Sequence, residues 1–235
     1  MGGSSPKLLA TCSKIGEEFG YDEINLNLGC PSKKVQKNKF GACLIKEPNL
    51  VTDCLNEMQS STKLPVTVKT RIGYDDVEDY ESLFNFINLL KSTGVKTFII
   101  HARKAMLGKF TPKQNLNIPP LKYEMVYKLK KDFKDLEIII NGGISSVDEI
   151  NDHLNKVNGV MLGRSIYHSP YILADIEREI FKNLNVPSRK DVIQELVPYV
   201  KKETKKGTRM NQIMRHTLGL FHGQAGSSFW KRYLS

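Results

Sequence analysis

The chain has 235 residues, 40% of them hydrophobic and 26% charged, with a formal net charge of +10 at pH 7. That composition excludes disordered, collagen-like and low-complexity classes. No apolar run approaches the roughly 18 residues a membrane-spanning helix needs, and the opening MGGSSPKLLATCSK has no signal-peptide layout, so a soluble, cytoplasmic protein without a membrane partner is expected.

The first strand-like run is EINLNLG (23–29), followed at once by Cys30 and Pro31. Val51, Cys54, Leu55 and Met58 then recur at helical spacing. PVTVKTRI (65–72) predicts a second strand, and Leu83, Phe86, Ile87 and Leu90 a second amphipathic helix. Further strands are predicted at TFIIHAR (97–103), EIIING (137–142) and GVMLG (159–163). Between the last two, Ser146 and Glu149 form a capping-box pattern ahead of the Val147, Ile150, Leu154 stripe. Strand and helix in alternation predict a parallel sheet with crossover helices. After Tyr167 the alternation stops and the chain reads as helix, with Pro187 and Ser188 at a boundary and Ser188 and Asp191 as candidate N-terminal capping residues. The expected organisation is an α/β domain over 1–187 and a small helical, basic domain over 188–235.

Charge follows the same division. Residues 188–235 hold ten Lys/Arg against three acids, a net of +7, which leaves only +3 for the first 187. A near-neutral body with a basic C-terminal region fits a polyanionic partner, and equally a solvated lysine-rich helix face. The four cysteines, Cys12, Cys30, Cys43 and Cys54, contain no CxxC pair, so neither a zinc site nor a disulfide framework is indicated. Cys12, Cys43 and Cys54 sit among apolar residues and read as small core residues.

The strand ends carry the chemistry. Each run finishes in polar types: Asn27 to Cys30, Lys69 and Arg71, His101 and Arg103, Asn141, then Gly163 and Arg164. A β/α barrel gathers its working residues at the C-terminal ends of several strands. A dinucleotide-binding sheet concentrates its signal in a glycine-rich loop after the first strand, and that loop is absent. A barrel needs eight strands, however, and five are found, so the expectation is a partial TIM (β/α) barrel followed by the helical domain.

An ordinary thiol, with a pKa of about 8.5, holds its proton at neutral pH and can act as a general acid as readily as a nucleophile. Cys30 suits that role, or is a buried turn cysteine. Alternation puts Thr67, Lys69 and Arg71 on one strand face. An inward Lys69 needs an anion or an electron-rich ring such as the N1/O2 edge of a reduced flavin, and an outward one a salt bridge. His101 is a third strand-end candidate or a structural histidine. Gly142 and Gly143, with Gly163 and Arg164, have the makings of a phosphate cradle, or are ligand-free glycine turns. Barrels commonly build such sites after strands seven and eight, which the fourth and fifth strands here become if three are placed ahead of Met1.

NLNLGCPSKKVQKNKFGACL, VTVKTRIG, IIHARKA with PPLKY following, IIINGGI, GVMLGRSIY and RHTLGLFHG, in that order, resemble the A-type subgroup of the tRNA-dihydrouridine synthase family. GGSSP at the start resembles the stretch after that family's third barrel strand, so the resemblance implies a longer protein whose first three strands are missing here. It implies an FMN-dependent barrel with a helical tRNA-binding domain, monomeric when complete. The implied reaction is NADPH-driven reduction of the C5–C6 double bond of a D-loop uridine (20/20a type), with Cys30 as proton donor. The resemblance further implies that Lys69 and His101 hold the flavin ring. Asn141, Gly142, Gly143, Gly163 and Arg164 would hold its phosphate. Asn27, Lys113, Gln212 and Arg215 would touch tRNA. Two departures stand out: the family's flavin contacts from strands one and three are absent, and Met106 and Leu116 replace a Trp and an Arg of the A-type pattern. On the five-strand count this chain as given is expected to be impaired; a remnant that binds tRNA without turnover, and another FMN-dependent barrel oxidoreductase, are the alternatives.

Overall fold

The computed structural model describes residues 1–234. In chain order the elements are α1 (Pro6–Glu18), β1 (Ile24–Asn27), α2 (Lys33–Lys37), α3 (Pro48–Ser61), β2 (Val66–Arg71), α4 (Tyr80–Lys91), β3 (Thr97–His101), α5 (Tyr123–Asp132), β4 (Glu137–Asn141), α6 (Val147–Leu154), β5 (Gly159–Met161), α7 (Arg164–His168), α8 (Ile172–Glu179), α9 (Arg189–Lys205), α10 (Met210–Met214) and α11 (Ser227–Leu234). All five expected strands form, each within the predicted run. Residues 1–143 and 153–161 make one compact unit, and residues 144–152 with 162 onward make a second.

The helices start where local chemistry satisfies their free N–H groups. Pro6 opens α1 and Pro48 opens α3, positions where a missing N–H costs nothing. The Asp79 carboxylate accepts from the Ser82 N–H at 2.7 Å and caps α4. Ser146 and Glu149 form the expected reciprocal pair, and so do Ser188 and Asp191 ahead of α9.

In the first unit the five strands are parallel and lie in the order β1-β2-β3-β4-β5, each paired with its neighbour in sequence. A doubly wound sheet would reverse direction at a switch point. Sequential order with crossovers of one hand winds the sheet in a single sense, as in a β/α barrel. Five strands form here, so the architecture is a partial barrel. Leu26, Val68, Phe98, Ile100, Ile138 and Ile140 are fully buried on one sheet face. The core they share includes Val51, Leu55 and Met58 of α3, Leu83, Ile87 and Leu90 of α4, and Val126 and Leu129 of α5. Each buried aliphatic chain contributes about 1.5–3 kcal/mol. Cys54 joins this core as expected, whereas Cys12 is exposed. On α1 the buried residues are Leu9, Ser13 and Gly16, and Cys12 lies on the other face with Leu8, Ile15 and Phe19.

The second unit is helical. The Arg189 guanidinium covers the Tyr171 ring at 3.7 Å and donates to the Leu220 carbonyl at 2.9 Å, which ties the start of α9 to its neighbours. Gly219 has no room for a side chain: a Cβ there would meet the His168 carbonyl oxygen at 2.3 Å. Pro187 and Ser188 fall inside this unit. Among the described residues no helix is long and apolar enough to cross a membrane.

Candidate functional site

Register decides which residues meet at the strand ends. Asn27, Lys69, Ile99 and Ile139 are aligned across the sheet, and one step further Arg71, His101, Asn141 and Met161 are aligned. Side chains alternate along a strand, so both rows share the face opposite Leu26, Val68, Ile100 and Ile140. Of the expected set, this face carries Asn27, Lys69, His101 and Asn141 together.

Lys69 is partly buried, and its ammonium donates to Asn141 Oδ1 at 3.4 Å. Asn141 in turn donates from Nδ2 to the Met161 carbonyl at 2.7 Å, which orients its oxygen toward the lysine. No carboxylate forms an ion pair with Lys69 among the described residues. Burial pulls the Lys69 pKa down to about 8, and Arg71 pushes it the same way, while the charge Cys30 can carry opposes them.

Arg71 is 3% exposed and is spent on backbone. Its Nε donates to the Gly29 carbonyl at 2.8 Å, and its Nη1 to Lys104 O at 3.0 Å and Asn115 O at 3.2 Å. One guanidinium therefore staples the loop after β1 to the loop after β3. Burial lowers its pKa to about 10, Cys30 opposes the shift and Arg103 adds to it. The sequence marked Arg71 as a strand-end cation, but its partners are 33 to 44 residues away and no local pattern announces them.

Cys30 is half-buried and held at both ends of its backbone. The Asn27 side-chain oxygen accepts from the Gly29 and Cys30 N–H groups at 2.9 and 3.2 Å, and the Cys30 carbonyl accepts from the Ala42 N–H at 2.9 Å. Gly41 allows that approach: its φ is +74°, and a Cβ there would sit 2.6 Å from the Cys30 oxygen. Ser32 caps α2 just beyond.

His101 is 6% exposed, and Gly142 lies directly against it. A Cβ at Gly142 would be 2.7 Å from His101 Cδ2 and 2.8 Å from Leu121 Cδ2. Gly142 and Gly143 have φ of +124° and +77°, values only glycine adopts easily. The Tyr123 hydroxyl donates to the Gly142 carbonyl at 2.6 Å, a contact the sequence did not point to beyond the PPLKY string that contains it.

Lys113 is exposed on the loop after β3. That loop folds around Asn115, which is fully buried and bonds the Met106 N–H and carbonyl at 2.7 and 3.1 Å. In the second unit Gly163 precedes α7 and Arg164 is its first residue, exposed. Gln212 and Arg215 are exposed one turn apart, which puts them on one helix face. Arg215 donates from Nε to His216 Nε2 at 3.1 Å, and His216 Nδ1 is bonded to the Tyr167 hydroxyl at 3.0 Å.

The first-unit face thus offers a partly buried cation with no carboxylate partner among the described residues, an adjacent imidazole, a thiol on a braced turn and a glycine pair at close approach. Burying a charge without a partner is costly, so this arrangement favours an anionic or electron-rich ligand.

Comparison with known proteins extends this picture. The family model described as dihydrouridine synthase (Dus) matches residues 1–235. A tRNA-dihydrouridine(20/20a) synthase of Synechocystis sp. is 50% identical over 236 residues, covering all of this chain and 71% of the relative. Those of Vibrio parahaemolyticus and Escherichia coli K12 are 48% and 50% identical over 237 residues, with 73% and 69% of their lengths covered.

Proposed function

The chain belongs to the dihydrouridine synthase family, and from that premise we propose that it reduces uridine to dihydrouridine at position 20/20a of tRNA, with FMN as cofactor and NADPH as reductant. The observation that carries the reading is the partly buried Lys69 ammonium, which pairs with no carboxylate among the described residues beside His101 and the Gly142–Gly143 turn. Lys69 and His101 suit the electron-rich edge of a flavin ring. Asn141, Gly142 and Gly143 are assigned to its phosphate. FMN, once reduced by NADPH, would supply the hydride for uracil C6.

This chain's own residues do the rest. Cys30 delivers a proton to uracil C5, and the Asn27 turn sets where that thiol stands. Asn27 contacts the substrate through Nδ2, because its oxygen is occupied by backbone. A uridine in folded tRNA leaves its stack to reach such a site. Lys113, Gln212 and Arg215 bind the RNA, and the +7 excess over residues 188–235 supplies a sequence-independent attraction to phosphates.

The test is to purify the chain, measure FMN per protein, and assay dihydrouridine in tRNA with NADPH. Near-equimolar FMN and uridine reduction would support the proposal, and a protein that binds neither FMN nor tRNA refutes it. The five-stranded sheet favours a second reading, in which tRNA binding persists without turnover. Colourless protein that retains tRNA would support it.

A further inference from the structure

The Gly142–Gly143 turn has a partner outside the expected site. Tyr123, the first residue of α5, donates its hydroxyl to the Gly142 carbonyl at 2.6 Å. Its ring is braced edge-on by His153, with centroids 4.6 Å apart. Tyr127 stacks beside it at 6.5 Å and bonds His153 Nδ1 through its own hydroxyl at 2.7 Å. The Tyr127 ring and the His153 imidazole therefore fix where the Tyr123 hydroxyl points.

The carbonyl of residue 142 and the N–H of residue 143 belong to one planar trans peptide and point in opposite directions. Holding the carbonyl on Tyr123 aims the Gly143 N–H away from it. That N–H has no hydrogen-bond partner among the described residues, and Gly143 is exposed. Both flanking residues are glycines at positive φ, so the backbone has little intrinsic preference for this peptide orientation over the flipped one. The tyrosine hydroxyl supplies that preference.

We infer that Tyr123 is a positioning residue that locks the Gly142–Gly143 peptide with the Gly143 N–H presented to a ligand phosphate, so that the site discriminates a phosphorylated flavin from an unphosphorylated one. The inference rests on the assignment of this turn to the FMN phosphate. A hydroxyl-to-carbonyl bond of ordinary net strength corresponds to about three- to tenfold in affinity.

The experiment titrates FMN and riboflavin separately into the wild-type chain, Tyr123→Phe and Tyr171→Phe, following flavin fluorescence. Thermal unfolding of each variant is recorded alongside. Tyr123→Phe is expected to weaken FMN about three- to tenfold and leave riboflavin unchanged. Tyr171→Phe, which also removes a hydroxyl-to-carbonyl bond, that to Pro187 at 3.0 Å, but none to the turn or to the rings around Tyr123, should keep the wild-type FMN-to-riboflavin ratio. Equal loss of both ligands in Tyr123→Phe, or undiminished FMN affinity, overturns the inference alone. A wild-type chain that binds FMN no more tightly than riboflavin overturns the phosphate assignment and this inference with it.

Discussion

Asn27 holds Cys30 in place: one side-chain oxygen accepts the N–H groups of Gly29 and Cys30, at 2.9 and 3.2 Å. The thiol's position is thus set by a side chain three residues upstream on β1. Asn27→Ala should slow uridine reduction at least about tenfold with FMN content retained, since misplacing a reacting group by an ångström costs up to a hundredfold. Asn27→Asp preserves the acceptor and should stay closer to wild type in thermal unfolding. Cys30→Ala is the reference, expected to lose the proton donor while keeping flavin. Single-turnover reduction of tRNA by the NADPH-reduced protein measures all three, and an unaltered rate in Asn27→Ala removes its positioning role.

Lys69 trades stability for ligand binding. Its pKa falls from 10.5 in the unfolded chain to about 8 in the folded one. The unfolded state therefore binds the proton more tightly, and the destabilisation is complete below pH 8 and relieved as pH rises through 10.5. Lys69→Met should raise the stability of the flavin-free chain at pH 7 by roughly 1–3 kcal/mol and weaken FMN. The gain should shrink between pH 8 and 10.5. Denaturant unfolding of both proteins across that range is the check, and a variant less stable at pH 7 contradicts it.

Gly142→Ala meets two obstacles at once. Its φ of +124° disfavours any side chain, and the new Cβ would press on His101 and Leu121. The expected cost is about 1–3 kcal/mol of stability, with FMN affinity lost as the imidazole is displaced. Calorimetric unfolding and flavin titration report the two effects separately.

Arg215 should act on RNA and not on flavin. Arg215→Ala is expected to weaken tRNA binding and to reduce the slope of log affinity against log salt by about one, as for a single phosphate contact. His216→Ala, which removes the acceptor of the Arg215 Nε–H, should weaken binding less and leave the slope nearly unchanged. Filter binding at several salt concentrations distinguishes them, and an identical slope in Arg215→Ala argues against a phosphate contact.

Much of the site was legible because strand alternation is local. Thr67, Lys69 and Arg71 share a face simply by spacing, and the parallel register extends that face to His101 and Asn141. The helical stripes on α3 and α4 and the caps at Ser146 and Ser188 were readable for the same reason: their partners lie within a turn or two. Cys12 was misread because apolar neighbours in sequence do not say which face of α1 is covered.

By itself the sequence determined the five strands, the helices between them and the family, since these follow from spacing and from motifs a few residues long. Tertiary structure alone decided the sequential strand order, the commitment of the Arg71 guanidinium to three backbone carbonyls, and the Tyr123 hydroxyl on the Gly142 oxygen. Those pairings join residues far apart along the chain. Donors and acceptors that many segments share find their partners only when packing has brought particular segments together and excluded water from the rest.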